Sequence, residues 1–409
     1  MLKGNAVVGQ SGGPTSAINA TLAGVILGCA DANKNGVIGT LYGMRNGIEG
    51  FLDERLVDLS ERYFDGEWID DLANTPAAAL GSCRRKLKSH TDDKATYERM
   101  LEIFKKYDIR YFFYIGGNDS MDTVLKLSEY AKTNNYEMRV VGIPKTIDND
   151  LMATDHTPGF GSAAKFVATT VKEIMRDISV YTVKAVTIVE IMARDAGWLT
   201  ASAALPALTG DAPDLIYLPE KVFDIERFIA SLQEIMEKKS AVLVCVSEGI
   251  RFADGEYVGS GSQSGAVDVF GHKYLSGTGK VLESIVKERL GCKVRSIELS
   301  LPQRCAAHIS SLCDIEESMG VGRAGVVAAV NGNTGVMATI ERSDDAEYSV
   351  SYGVADIRSI ANEIKTVPDE YINEDGNFIT EKGIAYLKPL IMGERNVKYE
   401  LGLPKHVII

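Results

Sequence analysis

Tyr111-Phe112-Phe113-Tyr114-Ile115-Gly116-Gly117-Asn118-Asp119-Ser120 is the stretch on which the fold class turns. Its short continuous apolar run reads as a strand buried on both faces, the habit of parallel sheets, and the Gly-Gly turn ends it. A helix over roughly 120–132 follows, completing a strand–turn–helix unit. Upstream, Ala6-Val7-Val8 is a strand that passes through Gly12-Gly13 into a helix from about Ser16 to Leu27. Residues 93–107 set Tyr97, Met100, Leu101 and Phe104 at helical spacing. Downstream, Val140-Val141-Gly142-Ile143 is a strand stopped by Pro144. After about residue 158 the alternation restarts: helix 161–177, strand 186–189, a helix near 195–205, strand 215–217, helix 225–237, strand 241–246 and helix 280–290. The glycine-rich segment 253–265 reads as a surface loop, and the last hundred residues as helices and strands completing both halves. The expected fold is α/β: two doubly wound, mostly parallel domains with the site in the cleft between them, at the carboxyl ends of the strands.

Composition narrows the function. The chain has 409 residues, 45% of them hydrophobic, enough for two or three domains with their own cores. Its formal charge of −12 disfavours a nucleic-acid footprint, so an anionic ligand would need positive charge concentrated locally. No run of about 18 apolar residues suggests a membrane span, and the first residues lack a signal-peptide core. Cys29, Cys83, Cys245, Cys292, Cys305 and Cys313 form no C-x-x-C pair and read as reduced thiols of a cytoplasmic protein. The five histidines are dispersed without H-E-x-x-H, so a histidine metal site is not expected.

Several short motifs compete. Gly9-Gln10-Ser11-Gly12-Gly13 matches the G-x-S-x-G nucleophile elbow, a cheap match in a glycine-rich turn. Ser276-Gly277-Thr278-Gly279-Lys280 fails as a Walker A tail, because Tyr274 stands where the first glycine belongs and Val281 follows the lysine. The basic run Arg84, Arg85, Lys86, Lys88 has the ordinary reading of a solvated face, but it follows Gly81-Ser82 and so offers a phosphate contact.

Three strand-to-helix turns carry more. Ser11-Gly12-Gly13-Pro14-Thr15-Ser16 presents backbone N–H groups at a helix start, where the dipole favours an anion. Its plain alternative is a glycine turn with a serine N-cap. Gly116-Gly117-Asn118-Asp119-Ser120 repeats the arrangement, with Asp119 or Ser120 as alternative caps. A carboxylate inside an anion site admits a compact ligand and repels one that carries further negative charge past it. Pro144-Lys145-Thr146-Ile147-Asp148-Asn149-Asp150 places an ammonium and two carboxylates within six residues. In extended geometry Lys145 faces away from Thr146, Asp148 and Asp150, and a sharp turn would reunite them. Two carboxylates on one side divide the labour between holding Mg²⁺ and accepting a hydroxyl proton. The alternative is a water-exposed Asx turn.

Together the turns resemble the phosphofructokinases. The resemblance runs in order from Gly12 to about Arg304 through Ser11-Gly12-Gly13, Gly81-Ser82-Cys83-Arg84, Gly116–Ser120, Pro144–Asp150, Glu190-Ile191-Met192-Ala193-Arg194-Asp195-Ala196-Gly197, Ser247-Glu248-Gly249 and Pro302-Gln303-Arg304. It implies a donor domain of residues 1–157 rejoined by about 305–355, and a fructose 6-phosphate domain of 158–304 completed by about 356–409. ATP-using members usually carry Gly-Gly-Asp-Gly-Ser and Pro-Gly-Thr-Ile-Asp-Asn-Asp; Asp119 with Lys145 looks like the pyrophosphate-dependent type. Asp119 would put charge and bulk where a nucleotide places its α-phosphate and ribose, while Lys145 supplies a point charge to pyrophosphate.

The resemblance implies Mg²⁺-dependent in-line transfer from pyrophosphate to the 1-hydroxyl of fructose 6-phosphate, a reversible step of glycolysis and gluconeogenesis. Asp148 would be the base, Asp150 with Asn118 through water would position Mg²⁺, and Gly13, Arg84, Asn118, Asp119, Ser120 and Lys145 would form the donor site. Arg194 would stabilise the transferred group, with Lys145 counted in the catalytic set. Thr146, Met192 and Glu248 would contact the sugar, alongside Asp148, Asp150 and Arg194, and Arg295 and Arg304 its 6-phosphate. Ordinary roles for these side chains are surface charge, core filling and capping. The chain departs from the pattern at Asn118, at Ala193 where glycine is common, and at Leu301 where histidine is frequent. Ala185 stands in place of an arginine that reaches a neighbouring subunit, with Lys184 beside it as a substitute. A homodimer or homotetramer with shared active sites is implied, with no nucleic-acid or membrane partner. The competing functions are an ATP-dependent 6-phosphofructokinase and a non-catalytic sugar-phosphate-binding homologue.

Overall fold

The computed structural model describes residues 1–262, 277–345, 347–361 and 363–409. Residues 263–265 of the glycine-rich stretch, and Tyr274 and Ser276 of the Walker-like motif, lie outside the described residues. In chain order the strands of the two main sheets are β1 (Gly4–Gln10), β2 (Ile38–Met44), β3 (Leu56–Asp58), β4 (Ile109–Gly116), β5 (Arg139–Pro144), β6 (Ala185–Ile191), β7 (Leu215–Tyr217), β8 (Ala241–Ser247), β9 (Lys293–Glu298), β10 (Val336–Arg342) and β11 (Val350–Asp356).

The larger sheet has the order β11-β10-β5-β4-β1-β2-β3, parallel through its centre and antiparallel at both edges. Phe112, Phe113, Val7 and Val8 are fully buried, as expected for central strands covered on both faces. From β1 the chain moves outward to β2 and β3, then crosses back to β4 on the other side. That reversal opens a crevice at the carboxyl ends of β1 and β4, where the two glycine turns lie. The smaller sheet, β7-β8-β6-β9, is wholly parallel and has its own reversal beside β6.

The first helix, Ile18–Lys34, continues beyond the predicted Leu27 until Asn35 and the left-handed Gly36 (φ 64°) end it. It packs on the helix Leu312–Val330 so closely that a Cβ on Gly24 would stand 2.1 Å from the Met319 carbonyl oxygen. Only glycine permits that approach, which brings the C-terminal third back onto the larger sheet. The helix expected near 195–205 is instead one turn, Trp198–Ala201, followed by the 3-10 segment Ser202–Thr209. Pro206 lies inside that segment and has no N–H to donate.

Residues 356–409 do not all complete the second half. Ile357 and Ile360 join the larger sheet's core with Tyr97 and Phe112. Val367, Ile372, Leu387 and Leu390 join the core around the smaller sheet. The tail then returns to the larger sheet, with Val407 and Ile409 against its core and Lys398 and Lys405 each 2.7 Å from Asp71.

Candidate active site

The strand-end turns converge on a cavity of about 480 Å³. Thirteen predicted residues line it: Gly13, Arg84, Asn118, Asp119, Ser120, Lys145, Thr146, Asp148, Asp150, Met192, Arg194, Glu248 and Arg304. Arg295 does not. It is exposed on the sheet-edge strand β9, opposite Thr187. Lys184 is likewise exposed, at the end of β6 remote from the cavity-lining Met192.

On the larger-sheet side, Gly12 N–H donates to the Cys83 carbonyl (3.1 Å) and Ser82 Oγ donates to the Gly12 carbonyl (2.7 Å), tying residues 81–84 to the first glycine turn. Ser16 does not cap the following helix, nor do Asp119 and Ser120 cap theirs; Asn118, Asp119 and Ser120 form its first turn. Asp119 Oδ1 stands 3.1 Å from Lys86 Nζ, and Asn118 Nδ2 donates to the Glu363 carbonyl. Arg84, Arg85 and Lys86 of the basic run line the cavity, whereas Lys88 does not.

Lys145 is buried and its Nζ donates to the Gly13 carbonyl. Desolvation pulls its pKa down to about 8; Asp148 opposes this, while Arg304 and Arg84 reinforce it. Three cations thus crowd one end of the cavity, a field that an anion would relieve. The predicted sharp turn is at Asn149, whose φ of 54° suits asparagine and sets Asp148 and Asp150 on the same cavity as Lys145. Asp148 N–H donates to Thr146 Oγ1 at 3.1 Å. Desolvation, then the neighbouring Asp150, raise the Asp148 pKa to about 7 against the pull of Lys145 and Arg194. Desolvation also raises Asp150.

The smaller sheet supplies the opposite wall. Ala193 has φ 92°, a left-handed conformation that explains why glycine is common there. Its N–H donates to Glu248 Oε1 (3.2 Å) and its carbonyl accepts from Ser247 Oγ (2.7 Å). A Cβ on Gly249 would lie 1.7 Å from the Arg194 carbonyl oxygen, so the Ser247-Glu248-Gly249 turn needs its glycine to hold the Arg194 backbone. Desolvation, with Asp148 and Glu190, raises the Glu248 pKa to about 8. The buried Gln303 accepts the Met192 N–H at 3.2 Å. Arg304 reaches the donor side: a Cβ on Gly13 would meet its Nη1 at 3.0 Å.

Sequence reasoning missed Gln303 as a support, Ile364 as a lining residue, and Glu363 and Lys365, whose backbones bond to Asn118 and Asp150. Gln303 lies within Pro302-Gln303-Arg304; the other three have no local pattern to flag them. Among the described residues no histidine lines the cavity, so Ser11 has no histidine base there. The described part of the Walker-like tail begins the helix Thr278–Leu290, where Gly279 N–H donates to the Glu190 carboxylate at 2.7 Å, a group that disfavours phosphate.

Among the described residues no cluster of three or more His, Cys, Asp or Glu side chains is arranged to hold a metal by itself. Asp150, with Asn118 on the same cavity, nevertheless offers the hard oxygen donors that suit Mg²⁺, which is typically held by one or two carboxylates plus substrate phosphates and water. No described helix is long and apolar enough to cross a membrane.

Paired carboxylates, a buried ammonium and guanidinium groups at the ends of two parallel sheets form the cleft of a phosphotransferase. The chain belongs to the phosphofructokinase family, whose description, Phosphofructokinase, matches residues 5–311. It is 44% identical to the pyrophosphate–fructose 6-phosphate 1-phosphotransferase of Xanthomonas campestris pv. campestris (strain B100), covering 100% of this chain and 96% of the relative. It is 43% identical to the protein of the same description from Methylococcus capsulatus, over 99% of this chain and 96% of the relative. The solved pyrophosphate-dependent phosphofructokinase of Nitrosospira multiformis superposes with a TM-score of 0.88 at 39% identity, covering 99% of this chain and 96% of that one.

Proposed function

We propose that this chain catalyses reversible phosphoryl transfer from pyrophosphate to the 1-hydroxyl of fructose 6-phosphate, giving fructose 1,6-bisphosphate and phosphate. The observation that carries the choice of donor is Asp119, paired with Lys86 at 3.1 Å on the same cavity as the buried Lys145. A nucleoside triphosphate would bring further negative charge and bulk against that carboxylate; pyrophosphate ends before it. The full-length likeness to relatives described as pyrophosphate-dependent supports the same reading over ATP use.

In this reading Asp148 removes the proton from the 1-hydroxyl as it attacks the near phosphorus of pyrophosphate, and phosphate departs in line. Gly13, Arg84 and Lys145 hold the donor, with the turn Asn118-Asp119-Ser120 limiting its length. Arg194 neutralises charge on the group in transit. Thr146, Met192 and Glu248 hold the sugar. Arg304 is assigned to the 6-phosphate of the sugar, and its position next to Gly13 also brings its charge toward the donor side. Asp150, with Asn118 through water, would hold Mg²⁺, which when bound neutralises charge on the donor phosphates. Arg295, exposed on β9, is assigned to the 6-phosphate site of a neighbouring subunit in a homodimer or homotetramer.

Initial rates with pyrophosphate and with ATP at matched Mg²⁺ test the proposal. Turnover with pyrophosphate and little with ATP is expected. Brisk ATP use without pyrophosphate use would sink it, and fructose 6-phosphate binding without turnover on either donor would revive the non-catalytic reading.

A further inference from the structure

Glu363-Ile364-Lys365-Thr366-Val367 has no regular secondary structure and puts Ile364 on the cavity wall. Asn118 Nδ2 donates to the Glu363 carbonyl. Lys365 N–H donates to the Asp150 carbonyl at 2.8 Å, and Trp198 Nε1 donates to the Lys365 carbonyl at 2.9 Å. Val367 N–H donates at 2.9 Å to Glu220 Oε1, which also accepts the Gly197 N–H at 2.8 Å. One short strap therefore joins the donor turn, the carboxylate turn and the turn that follows β6.

The Lys365 side chain makes a second set of ties. Its Nζ donates to the carbonyls of Asp155 (2.7 Å) and Thr154 (3.1 Å) and to Asn149 Oδ1 (3.4 Å), and stands 5.3 Å from the Trp198 ring. An ammonium has three protons to donate, and here three oxygens take them. Asn149 is the left-handed residue between the two carboxylates, and its Nδ2 is in turn fixed on Tyr386 OH at 3.3 Å. Desolvation lowers the Lys365 pKa to about 8, against the pull of Asp155 and Asp150. Holding a cation there costs free energy that a neutral side chain would avoid, so stability alone is a poor account of it.

We propose that Lys365 is a positioning residue for phosphoryl transfer, holding Asp148 and Asp150, through Asn149 and the Asp150 backbone, in register with the Arg194 turn of the opposite wall. Its ammonium acts on the turn and not on the reacting atoms. The inference rests on the reading of Asp148 as the base.

The test compares the full chain with Lys365→Met, Lys365→Arg, Trp198→Phe and Asp148→Asn, varying both substrates and following amide hydrogen exchange over residues 146–157. Lys365→Met should lower kcat about 30-fold while both KM values stay within about threefold, and should speed exchange across the turn. Lys365→Arg, which keeps the charge and the donors, should recover most of the loss. Trp198→Phe removes the bond to the Lys365 carbonyl, along with part of a buried ring that packs on Tyr371 and Tyr386, while leaving the Lys365 ammonium and its three oxygen partners in place. It should lower kcat about fivefold with a modest fall in Tm. Wild-type kcat per folded molecule in Lys365→Met overturns the proposal, even if the variant melts earlier. If Lys365→Met does not fold, unchanged kcat in Trp198→Phe overturns it instead. Retained turnover in Asp148→Asn removes the base assignment, a result separate from faster exchange in the Lys365 variant.

Discussion

Lys86 Nζ lies 3.1 Å from Asp119 Oδ1, joining the segment after Cys83 to the first turn of the helix Asn118–Thr133 at the wall of the cavity. Both side chains are about half exposed, so the pair contributes under about 1 kcal/mol to folding. In the proposed reading its effect is on what enters: the pair biases Asp119 toward this position on the cavity wall, and the buried Lys145 on the same cavity favours a short, highly charged ligand.

Replacing Asp119 and Lys145 together by glycine should therefore lower kcat/KM for pyrophosphate by about 100-fold and raise it for ATP by about tenfold. Steady-state kinetics with each donor decide it. An ATP rate that stays flat would show that the nucleotide is excluded elsewhere.

Asp148 must be ionised to act as a base, and its pKa is raised to about 7. Kcat/KM for fructose 6-phosphate should accordingly be full above that value and fall as pH drops through it, by about tenfold per unit at the acid end. Asp148→Asn should cost about 1,000-fold or more at every pH. A flat profile from pH 5 to 8 would remove Asp148 from this role.

Ala193 holds a φ of 92°, where a Cβ is strained. Ala193→Gly should relieve about 1 kcal/mol and raise Tm by about 2 °C, as differential scanning calorimetry would show. A lower Tm would mean that the greater freedom of the unfolded glycine outweighs the strain.

His156 is buried between two carboxylates, 2.7 Å from Asp155 and 2.7 Å from Glu317. Burial opposes its charged form, but the bonds to Asp155 and Glu317 outweigh it and raise the pKa. Its contribution is then complete below the unfolded pKa of about 6.5 and is lost as pH rises through the higher folded value. Asp155 and Glu317 behave oppositely: burial raises them, the bonds to His156 prevail, and their contribution fades as pH falls through their depressed values. His156→Gln should destabilise by about 3 kcal/mol near pH 6, with the gap narrowing toward pH 9 in urea melts. A gap that widens in alkali would contradict the charged imidazole.

The central strands were legible because parallel strands covered on both faces read as unbroken apolar runs, as at Ala6–Val8 and Tyr111–Ile115. Strands β2 and β3 were not read: Ile38–Met44 is broken by Gly39 and Gly43, and Leu56–Asp58 is only three residues long. The site was legible wherever chemistry sits within one turn, as at Pro144–Asp150. It was not legible where the contact is between distant parts of the chain. Lys365 meets Asn149 across 216 residues, with nothing in its neighbours to mark it. Ala193 was marked only by standing where glycine is common; the bonds that meet its left-handed backbone come from Glu248 and Ser247 at another strand end.

The larger sheet takes its last two strands from residues 336–356, whereas every strand of the smaller sheet falls within residues 185–298. During synthesis the ribosome therefore releases all the strands of the later-starting half before the earlier-starting half can be finished. Until β10 emerges, β5 presents a bare hydrogen-bonding margin, and the nascent chain must keep that margin from pairing with its neighbours on the same messenger.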